Sequence, residues 1–357
     1  MRRSSGVVAI AIALSLTGCA GGAGTADKAG GFDTSVTLRM GTIDGAGYPG
    51  AEVIAQFGRH LEALSEGQIT IEPVYLAYGA ATHQFDQQVA RRVESRELDM
   101  GLIAASAWDS EGVVSLRALH APFLVTSEVL LRQIVTGELA GQTLEGLDQA
   151  GVVGLALLPA PSGNRHPFGF EHALLSPEDY AGKTIRAPRS DVVFAALQEL
   201  GATPEDLNPA EFRVAAADGL VAGAESSFDL AEGFPMPSIA TGNVTLYAKS
   251  DSLVINQQVF EELSGDQQGL LRAAAARTRD WAVANTTRDS EAARHFCETG
   301  GRVVLASAAD LDALEDAVRP VYEELERDPT TRALIAQIRV LKGQLKAAET
   351  VKPCGDR

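Results

Sequence analysis

VTLRMGTIDGAGYPGAEVIAQFGRHLEAL, residues 36–64, reads as a strand, a glycine-rich turn and a helix. The stretch 36–43 alternates as a half-buried strand does, and residues 51–64 carry helical periodicity. Between them, Gly45-Ala-Gly47-Tyr-Pro-Gly50 fits the G-x-G-x-x-G pattern that cradles a dinucleotide pyrophosphate, and Glu72 in ITIEPVY offers an acid for the ribose. The same glycines have a plainer use. Gly45 and Gly47 let the chain turn sharply and Pro49 presets the first helical turn. Either way, the loop sits at the carboxyl end of a strand, where open α/β sheets bind ligands.

The N-terminus decides between the two uses. In MRRSSGVVAIAIALSLTGCAGG, two arginines precede an apolar run, Gly6 to Leu16, too short to span a bilayer, as in an export signal. Leu16-Thr-Gly-Cys19 resembles the bacterial lipobox, which predicts cleavage after residue 18 and a lipid on Cys19. Residues 19–34 then form a Gly/Ala/Thr-rich tether. Arg2-Arg3 hints at twin-arginine export, but the apolar residues expected directly after the pair are missing. A protein anchored outside the cytoplasm meets little free dinucleotide, so the glycine loop is expected to line a pocket without holding phosphate.

The formal charge of −17 becomes −19 once the signal, with two arginines and no acid, is removed, which argues against a nucleic-acid partner. A 45% hydrophobic composition supplies core for two domains, and no apolar run after residue 19 reaches membrane-spanning length. Besides Cys19 there are two cysteines, Cys297 and Cys354. In an oxidising compartment they form either a disulfide or two separate buried thiols.

Periodicity predicts strands at 36–43, 69–75, 99–104 and 152–158 alternating with helices at 50–65, 83–96 and 126–136, which is βαβ logic. A second run follows. GKTIRAP is a strand, 191–200 and EFRVAAADGL are helices, and VAGAESS is a strand. SLVIN returns as a strand to the first set, and after a short helix and a turn at Ser264-Gly265 comes one very long helix. Amphipathic helices at 308–325 and 330–348 pack on the body. The fold class is therefore α/β, with two lobes joined by chain crossovers and a long interlobe helix. Residues 35–162 and 251–290 are assigned to lobe I, and 163–250 and 291–350 to lobe II.

Nearly the whole mature chain resembles the substrate-binding subunit of TRAP (tripartite ATP-independent periplasmic) transporters, of the type named for C4-dicarboxylate binding. The resembling stretches are VTLRMGT, ESRELDMGLIAASA, ALHAPFLVTS, LSPEDYAGKTIRAPRSDVVFAALQELGATP, AEFRVAAADGLVAGAESS and SLVINQQVFEELSGDQQGLLRAAA, in order and at matching spacing. The resemblance implies a periplasmic-binding-protein-like fold, hinged capture of a small organic acid, and delivery to a TRAP-type permease. It implies a carboxylate clamp at Arg186, at the end of the G-x-K-I-R strand, and a second arginine at Arg165. Arg186 suits the role chemically, since a guanidinium meets both carboxylate oxygens with a planar fork and stays charged. Lys183 and Arg189 are assigned to the surface.

Two departures bear on the ligand. Ser226 stands where the family's D-G-x-E-N places asparagine, and a hydroxyl replaces one amide hydrogen bond, not two. Pro209 stands where the family often has an aromatic cover, so Trp108 is the candidate replacement ring, with Tyr48 on the glycine loop as a further contact. A monocarboxylate such as a sugar acid, aromatic acid or keto acid fits as well as a dicarboxylate. No G-x-S-x-G, H-E-x-x-H, C-x-x-C or P-loop motif occurs and the six histidines lack metal spacing, so no enzyme, cofactor or metal is expected. His166 and His172 are expected as surface or interface residues. The alternatives are a ligand-sensing lipoprotein for a membrane signalling partner and a secreted hydrolase. A monomer is expected.

Overall fold

The computed structural model describes residues 35–346 and 351–355, so the signal, the lipobox cysteine Cys19 and the whole of the tether lie outside the described residues. The chain opens with β1 (Val36–Gly41), α1 (Pro49–Leu64), β2 (Ile69–Val74), α2 (Phe85–Glu94) and β3 (Met100–Ala104). There follow α3 (Glu128–Thr136), α4 (Glu138–Leu144) and the long β4 (Val152–Gly169). The second run is α5 (Pro177–Tyr180), β5 (Thr184–Arg186), α6 (Asp191–Glu199), β6 (Thr203–Glu205), α7 (Pro209–Ala217), β7 (Gly223–Ser226) and β8 (Ile239–Thr241). β9 (Tyr247–Asn256), α8 (Gln257–Glu262), α9 (Gly265–Asn285), α10 (Asp289–Glu298) and β10 (Arg302–Val304) come next. The chain closes with α11 (Ala308–Ala317), α12 (Arg319–Leu325) and α13 (Pro329–Gln344).

The strands order as β2-β1-β3-β9-β4-β7-β5-β6, with β8 joining β4 to β10. β1 pairs β2 and β3 in parallel, and β5 pairs β6 and β7 in parallel. Between these sets run β4 and β9, antiparallel to each other. β4 extends past the expected end at residue 158. Its pairing with β9 is interrupted between Pro159 and Asn164 and resumes at Asn164 and Arg165, and from His166 its partner is β7. One strand thus serves both halves of the sheet.

The expected very long helix is two. α9 ends at Asn285, and Asp289 restarts the chain as α10 with its backbone N–H donating to Glu128 Oε1 at 2.6 Å and its carboxylate accepting from His166 Nε2 at 2.8 Å. The break lets Asp289 reach both groups. α11 and α12 likewise replace one expected helix, with Pro320 in the first turn of α12, where a missing N–H is tolerated. α13 buries Leu334, Ile335 and Ile338 and bonds both ranges: Thr331 Oγ1 donates to Val114 O and Lys342 Nζ to Phe123 O in the first, while Arg332 and Arg339 donate to Glu326 in the second. α13, expected in the second lobe with 291–350, thus also contacts the first range.

Cys297 and Cys354 are bonded, with Cα atoms 5.6 Å apart. The bridge pins the C-terminal segment against α10 and β10, where Val351 joins Phe296, Val303 and Phe168 in one apolar cluster. No helix among the described residues is long and apolar enough to cross a membrane.

Candidate functional site

Both parallel strand sets deliver charged residues at their carboxyl ends. After β1 comes Asp44, after β2 comes the segment leading to Phe85 and Asp86, and Ala104 at the end of β3 lies opposite Asp251 of β9. In the second set, β5 ends on Arg186, β6 is followed by Asp206 and β7 ends on Glu225 and Ser226. These groups act on one another through space: Lys249, Asp251, Asp206 and Asp44 on Asp86, and Arg165, Glu225, Asp206 and Asp86 on Arg186. Carboxyl ends of parallel strands are where open α/β folds place ligands, because loops and helix starts converge there.

Arg186 is buried, 6% exposed. Pro188 follows β5 and cannot donate to a ladder, which ends the strand with the arginine at its edge. Its Nε and Nη2 donate to Leu207 O at 3.1 and 2.8 Å, and its guanidinium carbon lies 4.9 Å from the ring centre of Phe212 and 5.8 Å from that of Phe85. Among the described residues no carboxylate comes within ion-pairing distance, 4.0 Å. Burial, and then the Arg165 charge, pull the guanidinium down to about 10.

Arg165 has the opposite situation. It is 2% exposed and forms a two-pronged ion pair with the fully buried Glu225: Nη2 donates to Glu225 Oε2 at 3.0 Å and to Glu225 O at 2.9 Å, while Nε donates to Oε1. Burial opposes both charges, but each holds the other ionised, with Glu225 below and Arg165 above its ordinary range. The Tyr247 hydroxyl joins the pair. The two arginines also take opposite sheet faces. Arg186 is in register with Ala224, so Ser226, two residues on, shares its face, whereas Glu225 and Arg165 occupy the other. The structure therefore brings Ser226 and Arg186 to one side.

Tyr48 is 51% exposed, at the start of α1. Trp108, the expected replacement ring, is fully buried in the apolar core, and its indole Nε1 donates to Ser252 Oγ at 2.8 Å. That satisfied N–H makes it a core tryptophan and not a cover over a ligand. Lys183 is exposed, and Arg189 pairs with Asp191. His166 is not a surface residue. It is fully buried, with Nδ1 2.7 Å from Val244 O and Nε2 on Asp289, so both ring nitrogens face acceptors; despite burial, the Asp289 carboxylate holds the imidazole above its ordinary range.

The glycine loop holds an internal carboxylate at the helix start. Gly50 N donates to Asp44 Oδ2 at 2.7 Å, and a Cβ at Gly50 would lie 2.2 Å from that oxygen. Gly47 takes a positive φ of 85°. The N–H that a pyrophosphate would use is thus occupied by Asp44, and Glu72 is exposed on β2.

Contacts bridge the two strand sets around Arg186. Gln84 N donates to Asp206 Oδ2 at 2.5 Å, Asn208 N to Thr82 O at 3.0 Å and Gln87 Nε2 to Arg189 O at 2.9 Å. Asp109, buried after β3, accepts from Ser190 Oγ at 2.6 Å, Asp191 N at 2.9 Å and Val192 N at 3.0 Å, capping α6 from the opposite side. Among the described residues no group of three or more His, Cys, Asp or Glu side chains is arranged to hold a metal ion. Sequence patterns gave no pointer to Asp86, Asp206, Lys249 or Asp251. One weak signal existed, since Phe85, Asp86 and Gln87 are buried in succession and break the one-face rule of an amphipathic helix.

Residues 40–328 match the model of the bacterial extracellular solute-binding proteins, family 7. The chain belongs to this family. Among curated relatives of this solute-binding protein, the C4-dicarboxylate-binding periplasmic protein DctP of Rhodobacter capsulatus is 20% identical over 298 residues, 81% of this chain and 86% of that one. An uncharacterized protein of Sinorhizobium fredii is 27% identical over 190 residues, of which this chain spans only 34% of the length. Two solved TRAP periplasmic solute-binding proteins share the fold. That of Ralstonia eutropha, with bound (S)-2-acetolactate, has a TM-score of 0.76 at 20% identity, covering 87% of this chain and 99% of its own. That of Xanthobacter autotrophicus, with bound β-D-galacturonate, has a TM-score of 0.75 at 21% identity, covering 85% and 99%. The family is extracytoplasmic and acts by binding solutes, and its two-lobed architecture is the one this sheet adopts.

Proposed function

We propose that this solute-binding protein captures a small organic carboxylate by closure of its two strand sets and delivers it to a TRAP-type permease, tethered to the membrane through a lipid on Cys19 and performing no catalysis itself. The observation that carries this is the buried guanidinium of Arg186, which has carbonyl and aromatic neighbours but, among the described residues, no carboxylate within ion-pairing distance. A buried cation left without a counter-charge is unfavourable unless an anion arrives, and a ligand carboxylate supplies one. Arg165 is not a second clamp of equal standing. Its charge is already met by Glu225, and the two act on Arg186 in opposite senses, while Ser226 adds a hydroxyl on the Arg186 face and Tyr48 stands at the rim. The hinge is placed near 162–163 and 250–251, a reading supported by the irregularity of the β4–β9 pairing between Pro159 and Asn164. The bound acids of the relatives, an acetolactate and a uronate, are in keeping with a monocarboxylate.

The test is calorimetric titration with the acid recovered by mass spectrometry from protein purified out of its native host. Removing one partner of a desolvated charge pair costs about 2–5 kcal/mol. Arg186→Ala should therefore weaken binding by roughly thirty to several thousand fold, and Lys183→Ala should leave it unchanged. Equal affinity in the two variants would remove the clamp. Cys19→Ala should release the protein from the membrane fraction or leave it uncleaved.

A further inference from the structure

The charges acting most strongly on Asp86, Arg186 and Asp251 are five carboxylates, Asp44, Asp86, Asp206, Glu225 and Asp251, against three cations, Arg165, Arg186 and Lys249. Glu225 already satisfies Arg165, and Lys249 lies 4.0 Å from Asp251. Asp86, only 4% exposed at the start of α2, receives no hydrogen bond from any described residue. Asp206 Oδ1 is buried without a partner, although Oδ2 accepts from Gln84 N. The site thus holds a guanidinium with no carboxylate at ion-pairing distance and, beside it, carboxylate oxygens with no hydrogen-bond donor. Buried carboxylates in that state call for a donor or a cation.

Building on Arg186 as the clamp for a ligand carboxylate, we propose that the ligand is a zwitterion, with an ammonium group held by Asp86 beside Asp206 and Asp251. The charge balance selects the ammonium over a hydroxyl. The eight groups carry two negative charges in excess. A polyhydroxy acid would raise that excess to three and a dicarboxylate to four, whereas a zwitterion leaves it unchanged while placing each of its charges against the opposite one. Burial, opposed by Lys249 and reinforced by Asp251, Asp206 and Asp44, pushes Asp86 up to about 6, and an ammonium beside it would reverse that.

The experiment uses three series of matched chain length: ω-amino acids, ω-hydroxy acids and α,ω-dicarboxylates, titrated calorimetrically into the full chain. At the best length the amine should bind about tenfold or more tighter than its hydroxyl counterpart, since hydrogen bonds between charged groups are the stronger kind, and the dicarboxylate should bind weakest. Asp86→Asn should abolish the preference for the amine while retaining carboxylate binding. The acid released on denaturing protein from the native host should contain basic nitrogen. A hydroxy acid that matches the amine at every length, a nitrogen-free native ligand, or an Asp86→Asn protein that keeps the preference would each overturn the zwitterion and leave the Arg186 clamp standing. If no acid binds and none co-purifies, acid capture itself is wrong.

Discussion

Arg186→Met and Glu225→Gln should part company in a way that a merely structural arginine would not allow. The depression of Arg186 to about 10 by burial and the Arg165 charge means that folding the charged side chain into this site costs about 3 kcal/mol at neutral pH. The sign follows from linkage. The folded value is depressed for a base, so the penalty is fully present below about 10 and fades only as pH rises from there towards the ordinary arginine range. Methionine of similar length removes it. The same change forfeits the two bonds to Leu207 O, about 1–3 kcal/mol, and the stacking on Phe212, about 1 kcal/mol. These terms nearly cancel, so ligand-free Arg186→Met should lie within about 1–2 kcal/mol of wild type by urea denaturation. Glu225→Gln instead strands the 2%-exposed Arg165 without its counter-charge and should lose about 3–5 kcal/mol. Added ligand should sharpen the contrast. At a hundred times its Kd it stabilises wild type by about 2.7 kcal/mol and should do nothing for Arg186→Met. If Arg186→Met is as destabilised as Glu225→Gln, Arg186 is a structural ion and its unpaired charge is no sign of a ligand.

Two further outcomes follow from the crossover region. His166 is held above its ordinary 6.5 in the folded chain, so its contribution to stability is complete below pH 6.5 and lost as pH rises through the folded value; denaturation midpoints should fall over that window in wild type and flatten in His166→Gln. The Cys297–Cys354 bridge closes a loop of 57 residues, worth about 4 kcal/mol on the chain-entropy account, so Cys297→Ser/Cys354→Ser should lose stability of that order by denaturant titration and should retain ligand affinity, since the bridge packs with Phe296, Val303 and Val351 and supplies no group to Arg186.

What the sequence disclosed tracks how locally each feature is encoded. β1, β3 and β5 were legible because alternation, flanking turns and Pro188 are all neighbours in the chain. The three-residue strands β6, β8 and β10 have no such signal and exist because an adjacent strand offers its hydrogen bonds. The break between α9 and α10 was hidden for the same reason, since its causes, Glu128 and His166, lie more than a hundred residues upstream. Trp108 was misplaced because its partner Ser252 is 144 residues away. The site divides along this line too. Arg186 could be named from its own strand, but its lack of a counter-ion could not, nor could the carboxylates at 44, 86, 206 and 251, which only the convergence of strand ends puts within reach of one another. That division has an energetic meaning. Glu225 gives Arg165 its partner within the fold, and that pair is fixed whether or not a ligand is present. Arg186 and Asp86 are buried with no such partner, so the ligand-free chain carries their desolvation as lost stability, and a molecule bearing the complementary charges gains in affinity much of what the fold gives up.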